Sequence, residues 1–591
     1  MRIAYGEADF AKIRRGGFFY VDKTPFLHEL ERADLGYSKL VFLRPRRFGK
    51  SSLVSMMEHY YDVALGAHFD ELFRGLWVHE HPTPEKSKYF VLHLNFSLVA
   101  SSPDENVVRE HFLRAVKSAL VSMYARYRGR IPMLDRFFEN EVHTYNDPGA
   151  LISNVFGIMA GTGNPMYVMI DEYDTFATAL LSSDRSVYSN VIDKSGFVRT
   201  FYHALKAGTE TGAVARVFIT GGTPILLDDL MTGFNVATNI STHPNFNALA
   251  GFTRADVERA LDELLASRPA LTTIDGIEDR STLMAVLDEH YDGYRFCEDA
   301  EESIFNSNLV LYFLRELSVR GRYPRRLLDP NARTDYKKLH SLWASVGPAA
   351  QERREAIETV LNEGAIWSEL VEQFGSRHSF TRSEFVSLMY YTGMLTLAQE
   401  EPMGPLIRFE VPNRVIRELN WQHFTHLLED LDRVTLHSHA MSMSLLEMTS
   451  QGNIEPFLEE LRKNVLAVLS NKDLKKHDEK AMKMLLIGTI VTANFFYVFS
   501  EQEFAQGFND LFLTPLPSIP KAKYAWMIEL KYLTTKERRK VGSVVAQAET
   551  QLRKYMADDR LVTTLTQGKE LRAGTLVFVG GKDVTWHPFA T

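Results

Sequence analysis

The sequence predicts a multidomain α/β protein in which a parallel-sheet core comes first and a second α/β domain comes last. Three observations predict it. The chain has 591 residues, 45% hydrophobic and 24% charged, which is too long for one core and suits roughly three or four domains of ~150 residues each. Within the N-terminal part, three apolar runs each end in a polar or glycine-rich cluster, as strands of a parallel nucleotide-binding sheet do at their carboxyl edge. From about residue 435 the pattern changes to helix, three strands, helix, strand, with acidic residues on the second and third strands.

Charge and cysteine usage narrow the class. A net charge of −8 with 67 basic residues does not advertise nucleic-acid binding, although local basic patches remain compatible with it. The single cysteine, Cys297, excludes an internal disulfide framework and a cysteine-rich zinc site, and it suits a reducing cytosol. The opening "MRIAYGEADFAKIRRGG" lacks the apolar segment of a signal peptide. "MLLIGTIVTANFFYVF" is the most apolar stretch, but it is shorter than the ~20 residues a bilayer requires. A soluble cytoplasmic chain without a membrane segment is expected.

The first apolar run, "YSKLVFL" (37–43), leads into "RPRRFGKSS" (44–52) and then into a helix-patterned segment. Strand, tight loop and helix form the setting of a phosphate-binding loop, in which backbone N–H groups at the helix N-terminus face the phosphates. Gly49, Lys50 and Ser51 stand where that loop needs them, with Ser52 following. In such a loop Lys50 is expected to reach the β/γ-phosphates and Ser51 to ligate Mg²⁺; Arg46 and Arg47 are candidates for phosphate or nucleic-acid contact. Arg44 occupies the first loop position, where a glycine is favoured for its tolerance of φ > 0. The second run, "PMYVMIDEYDTF" (165–176), ends in Asp171, expected in the Mg²⁺ shell, and Glu172, expected to polarise the attacking water. The third, "ARVFITGGTPI" (215–225), ends in Thr220 and a glycine pair, with Thr220 placed to sense the γ-phosphate.

"FFYVDKT" (18–24), "RPRRFGKSS", "VLHLNFS" (91–97), "VMIDEYD" (168–174), "FITGGTP" (218–224) and "GFTRADVERAL" (251–261) occur in the order of the AAA-ATPase-like family, which this chain resembles. Members often carry a C-terminal nuclease-like domain of the PD-(D/E)XK superfamily. The resemblance covers about the first 310 residues and implies that arginine at position 44 is a family trait. It ends with "YDGYRF" (291–296) and "IFNSNLVLYFL" (304–314), where Ser307 replaces the family's proline.

The middle reads as a helical lid over 246–345, following a core at 1–245. "PRRLLDPNARTDYKKL" is read as a polar connection. A winged-helix-like region follows at 346–434: a helix ending in Tyr-Thr-Gly, a strand, a Gly/Pro loop and the returning "IRFEVPNRVIREL" (407–419). The last domain, 435–591, has the element order of restriction-endonuclease-like folds. Asp510 sits near the start of its second strand, and Glu529 and Lys531 share one face of its third. Asp510 and Glu529 offer hard oxygen ligands to Mg²⁺, with Mn²⁺ as a substitute, while Lys531 orients the nucleophile. The resemblance adds Glu503, Gln551 and Tyr555 as supporting residues, and it shows Phe508 where an arginine is usual. Two basic stretches, 462–483 and "KERRK" (536–540), are candidate phosphate-backbone contacts, with solvated faces as the alternative.

Two functional classes stay open on these residues. One is an ATP-binding and ATP-hydrolysing protein that regulates a metal-dependent phosphodiester-cleaving domain, with nucleic acid, chiefly DNA, as partner and defence against foreign DNA as setting. The other is a nucleotide-dependent switch or scaffold whose nuclease-like domain only binds nucleic acid or protein. Oligomeric state is left open, a homo-oligomer included.

Overall fold

The structure is a computed structural model that describes residues 1–32, 35–183, 185–192, 196–226, 237–268, 271, 280–321, 323–324, 326–332, 350–374, 380–432, 436, 438–467, 479–493, 495–516, 519, 521–580 and 583–589. The chain divides into two compact units, one of residues 1–356 and 363–416, the other of residues 357–362 and 417–591. Much of the predicted polar connection and the 468–478 part of the first basic stretch lie outside the described residues. Among those described, no helix is long and apolar enough to cross a membrane.

The first unit is built on β1 (Lys39–Leu43), β2 (Phe90–Asn95), β3 (Met166–Asp171), β4 (Val214–Gly221) and β5 (Thr238–Asn239), in the spatial order β2-β3-β4-β1-β5. Every pairing is parallel. β1, β3 and β4 are almost wholly buried along their length, which is why they read as unbroken apolar runs without alternation. β4 lies between β1 and β3, so the ends of all three come together at one edge, and Asn95 at the end of β2 is in register with Asp171.

A charged cluster fixes the helix Lys50–Tyr61 to this sheet. Glu58 accepts from His93 Nδ1 of β2 at 3.1 Å and pairs with Arg126 at 2.7 Å; Arg126 in turn pairs with the fully buried Asp62. Burial alone would push the Glu58 carboxyl up, but His93 and Arg126 outweigh it and hold it down at about 2.

The stretch 246–345, expected as a helical lid, contributes the helices Arg254–Ser267, Arg280–Tyr291 and Ser307–Arg320. The first is closed by a capping box between Thr253 and Asp256, the local signal in "TRAD". Then come the helix Ala350–Glu363, β6 (Ala365–Ser368), the helix Arg382–Tyr391, β7 (Thr396–Leu397) and β8 (Ile407–Glu410). β8 pairs antiparallel with both β6 and β7 and lies between them in a three-stranded sheet. The returning segment is a strand only to Glu410; from Arg414 it is the helix Arg414–Asp432.

The second unit holds the helix Glu479–Ala493, β9 (Phe496–Phe504), β10 (Gly507–Pro515), β11 (Tyr524–Leu533), the helix Val541–Met556, a further helix Asp559–Thr566, β12 (Glu570–Val579) and β13 (Asp583–Pro588). The sheet order is β13-β12-β11-β10-β9, with β11 and β12 parallel and the other pairs antiparallel. The predicted helix, three strands, helix, strand is present; the helices His439–Gln451 and Glu455–Leu461 precede it, and the helix Asp559–Thr566 and the edge strand β13 are added to it.

Because the folded Glu58 carboxyl titrates below its unfolded value, its contribution is complete above about pH 4.5 and is lost as pH falls toward 2. Glu58→Gln is therefore expected to lower stability at neutral pH by on the order of 2 kcal/mol. It should also flatten the acid loss of stability in that window, read by urea unfolding at a series of pH values.

Candidate functional site

Arg44 does not take part in phosphate binding. Its side chain is 1% exposed, and the guanidinium donates to the carbonyls of Leu43 (2.8 Å), Ser241 (2.7 Å) and Phe246 (2.8 Å). It lies over the rings of Phe42 and Phe296, 4.5 and 4.1 Å from their centroids. Burial pulls it down to about 10, so it remains charged at neutral pH. Its backbone continues the strand, donating to Gly221 O of β4 at 3.1 Å. The left-handed turns of the loop fall instead at Arg47 (φ 72) and Gly49 (φ 94). No glycine is needed at position 44, because the positive-φ positions of the loop are Arg47 and Gly49.

Beyond the loop, the predicted residues converge. Lys50, 4% exposed, donates to Arg44 O at 3.0 Å and lies 3.8 Å from the Glu172 carboxylate. Ser51 Oγ donates to Asp171 Oδ2 at 2.7 Å, and Asn95 Nδ2 approaches the same oxygen at 3.4 Å. Asp171 Oδ1 is buried without a hydrogen-bond partner. Burial, then Glu172, push the Asp171 carboxyl up. A buried, unpartnered carboxylate oxygen beside a serine hydroxyl suits a hard divalent cation, which takes oxygen ligands. Glu172 itself sits at φ 54 and accepts from Thr175 Oγ1 at 2.6 Å. Burial raises its carboxyl, but Lys50, Thr175 and Arg46 outweigh that and hold it below the usual range.

Arg46, Arg47, Gly49, Lys50, Ser51, Ser52 and Glu172 line a cavity of about 510 Å³, within the range of small-molecule sites. Its other wall is apolar and was missed from the sequence: Ile13, Phe19, Val21, Leu249, Phe252 and Leu311. "FFYVDKT" and "GFTRAD" were the signals that could have located it. Ser307 is at the first position of its helix, where proline is tolerated because the N–H needs no helical partner. Its hydroxyl donates to Arg47 O at 3.2 Å, and Asn308 N donates to the same carbonyl at 3.2 Å. The substitution thus adds a tie between lid and loop.

Thr220 reaches the sheet edge, but its hydroxyl donates to Phe42 O at 2.8 Å, and it does not line the cavity. The next carboxylate in the acidic run, Asp174, accepts from Gly222 N, Thr223 N and Thr223 Oγ1, at 3.0, 2.8 and 2.6 Å. That clamp requires glycine at 221, where a Cβ would come 2.4 Å from both Asp174 Oδ1 and the Tyr173 ring.

In the second unit, Asp510, Glu529 and Lys531 form one cluster. Lys531 Nζ lies 3.2 Å from Glu529 Oε2 and 3.9 Å from Asp510 Oδ2. Asp510 Oδ2 accepts from Leu530 N at 2.8 Å, and Glu529 Oε1 accepts from Asn509 Nδ2 at 3.2 Å. Burial and then Asp510 push the Glu529 carboxyl up to about 7. Two convergent carboxylates present an oxygen donor set that fits Mg²⁺ or Mn²⁺. Sequence reasoning missed Lys483, a buried lysine on the helix Glu479–Ala493, 3.7 Å from Asp510 Oδ1. It fell within a run read as a basic surface.

The supporting residues are less engaged. Strand register puts Glu503 opposite Phe508 and on the Asp510 face, but exposed. Tyr555 donates to Phe508 O at 2.8 Å and stacks on Phe504, bracing the β9–β10 hairpin. Gln551 is half-buried one turn earlier. Phe508 is 56% exposed. "KERRK" forms the turn Thr535–Lys540, in which Arg538 pairs with Asp583 and Lys540 with Glu537. Among the described residues, no group of three histidine, cysteine or acidic side chains gathers for a metal.

Residues 4–231 match the family described as predicted AAA-ATPase, and residues 477–587 match the PD-(D/E)XK nuclease superfamily. An uncharacterized protein in the vnfD 5′ region of Azotobacter chroococcum mcd 1 is 24% identical over 437 residues, which are 70% of this chain and 68% of that one. The Walker-type ATPase paby2304 of Pyrococcus abyssi aligns with a TM-score of 0.39 at 12% identity, covering 68% of this chain and 96% of its own.

Arg44→Gly, which restores a glycine at the first loop position, is expected to destabilise the first unit by about 3 kcal/mol. It strands the Ser241 and Phe246 carbonyls and removes a buried cation. Thermal and urea unfolding would show it, with Arg44→Lys falling between the two.

Proposed function

We propose that this chain, with an AAA-ATPase-like domain and a PD-(D/E)XK nuclease-superfamily domain, uses ATP binding and hydrolysis to gate metal-dependent cleavage of nucleic acid. The observation that carries the reading is the pair of carboxylate–lysine constellations, Lys50 with Glu172 and Lys531 with Glu529 and Asp510. In the first, the apolar wall of Phe19, Val21 and Phe252 takes the base, while the loop amides and Lys50 hold the phosphates. Glu172 orients the attacking water. Its lowered pKa keeps it ionised, and therefore able to accept a proton, at neutral pH. Ser51 and Asp171 would hold Mg²⁺ there, and Asp510 and Glu529 would hold Mg²⁺ or Mn²⁺ at the second site; the ion neutralises developing phosphate charge and lowers the pKa of bound water. Lys531 holds the nucleophile's orientation and, with Lys483, balances the two carboxylates when no cation is bound.

The gate is supported by the loop's contacts. Arg47 O is held by Ser307 and Asn308 of the lid. The Pro45 ring packs on Gly393, where an added Cβ would lie 2.9 Å away. A change in the phosphate loop is therefore felt in the lid and the winged-helix-like region. DNA is the substrate in this reading, the cytoplasm its compartment and defence against foreign DNA its setting. A second reading, a nucleotide-dependent switch whose nuclease-like domain only binds, is favoured by the exposed Phe508 in place of the usual arginine.

Plasmid and single-stranded DNA incubated with Mg²⁺ or Mn²⁺, with and without ATP, test both readings. Glu529→Ala is expected to lower cleavage by about 10²-fold or more. Lys50→Ala is expected to leave cleavage chemistry intact but abolish its response to ATP. ATP turnover with no cutting under any condition would favour the switch.

A further inference from the structure

Lys483 is an unexpected neighbour for the Asp510–Glu529 pair. It lies on the helix Glu479–Ala493, which packs on β9 and β11, and its side chain is only 8% exposed. The turn around it, Met482, Met484, Leu485 and Leu486, is buried and apolar. An ammonium group is rarely held in such a setting without an opposing charge. Here Asp510 Oδ1 lies 3.7 Å from Lys483 Nζ, while Asp510 Oδ2 accepts from Leu530 N at 2.8 Å and lies 3.9 Å from Lys531 Nζ. Asp510 thus has an ammonium near each oxygen, one supplied by a helix and one by β11.

Charge and donor number then bear on how many cations the cluster takes. Two-cation phosphodiester-cleaving sites set their ions about 3.5–4 Å apart, and a carboxylate shared between two ions gives one oxygen to each. In this cluster the two carboxylates, Asp510 and Glu529, are already matched by the two ammonium groups, Lys483 and Lys531. One divalent cation adds positive charge that a phosphodiester and an ionised nucleophile offset. A second would add as much again, and among the described residues no third acidic side chain gathers to meet it. Glu503, on the Asp510 face of the hairpin, is exposed.

We propose that the Lys483 ammonium is a built-in cation of this cluster, taking the place of a second divalent ion beside Asp510 and limiting the site to one. The inference rests on the nuclease-superfamily reading above and deepens it. Lys483 competes for Asp510 Oδ1, so it lowers the affinity for added metal while supplying a charge that is always present. Its helix fixes that charge, whereas a bound ion must be recruited from solution.

Calorimetric titration of the full-length protein with Mn²⁺, in the absence of nucleotide, tests the proposal. The ions lost in Glu529→Ala belong to this cluster, which separates them from any held by Ser51 and Asp171. Wild type is expected to lose one. Lys483→Gln is expected to bind Mn²⁺ at least about tenfold more tightly, or to admit a second ion. Lys483→Arg keeps the charge and should titrate as wild type does, and thermal unfolding checks that both variants fold. The wild-type count decides the proposal even where Lys483→Gln does not fold. Two ions lost in Glu529→Ala, or unchanged or weaker binding in folded Lys483→Gln, overturns it; weaker binding would make Lys483 a brace for its helix. Wild type that holds no Mn²⁺ dependent on Glu529 overturns the metal-dependent reading of this domain, and this one with it.

Discussion

The buried guanidinium of Arg44 holds together three parts of the first unit that are far apart in sequence. It joins the end of β1 to the carbonyls of Ser241 and Phe246, and it is sandwiched between Phe42 and Phe296. A planar fork with several donors can satisfy carbonyls in different directions at once, which a lysine cannot do. The phosphate loop starts from this fixed point. The left-handed turns of the loop fall beyond it, at Arg47 and Gly49, and Lys50 rests on the Arg44 carbonyl. A residue that looks like a defect in the motif is the anchor of the site.

Each site handles buried carboxylates in its own way. Glu172 is ionised because Lys50 and Thr175 outweigh its burial. Asp171 keeps an oxygen unpartnered, beside the Ser51 hydroxyl. In the second unit, Glu529 is pushed up by burial and by its neighbour Asp510, with Lys531 and Lys483 supplying the opposing charge. Holding like charges close in a partly dry setting is costly unless cations intervene. Here protein ammonium groups do so at the distances found.

Much of this was legible because it is local. The apolar strands, the Gly-Lys-Ser turn, the Asp171-Glu172 pair and the E-x-K alternation follow from short-range rules, and the structure brings each set together. Thr220 shows the limit. It was read as a sensor from its place at a strand end, yet register puts it opposite Phe42, and its hydroxyl is taken by that carbonyl. Lys483 shows the converse: a lysine among acids and other lysines reads as solvated, and only the packing of its helix buries it beside Asp510.

The sequence by itself determined the kind of chemistry at each strand end, since period, turn residues and charge type are set within a few positions of one another. Tertiary structure alone decided which polar groups meet. The apolar wall from Phe19 to Leu311, the Arg44 anchor, the Ser307 tie and the Lys483–Asp510 pair all join residues tens to hundreds of positions apart. Such pairings depend on how whole elements pack, because a side chain's partner is fixed by the crossing of two elements and not by its neighbours in the chain.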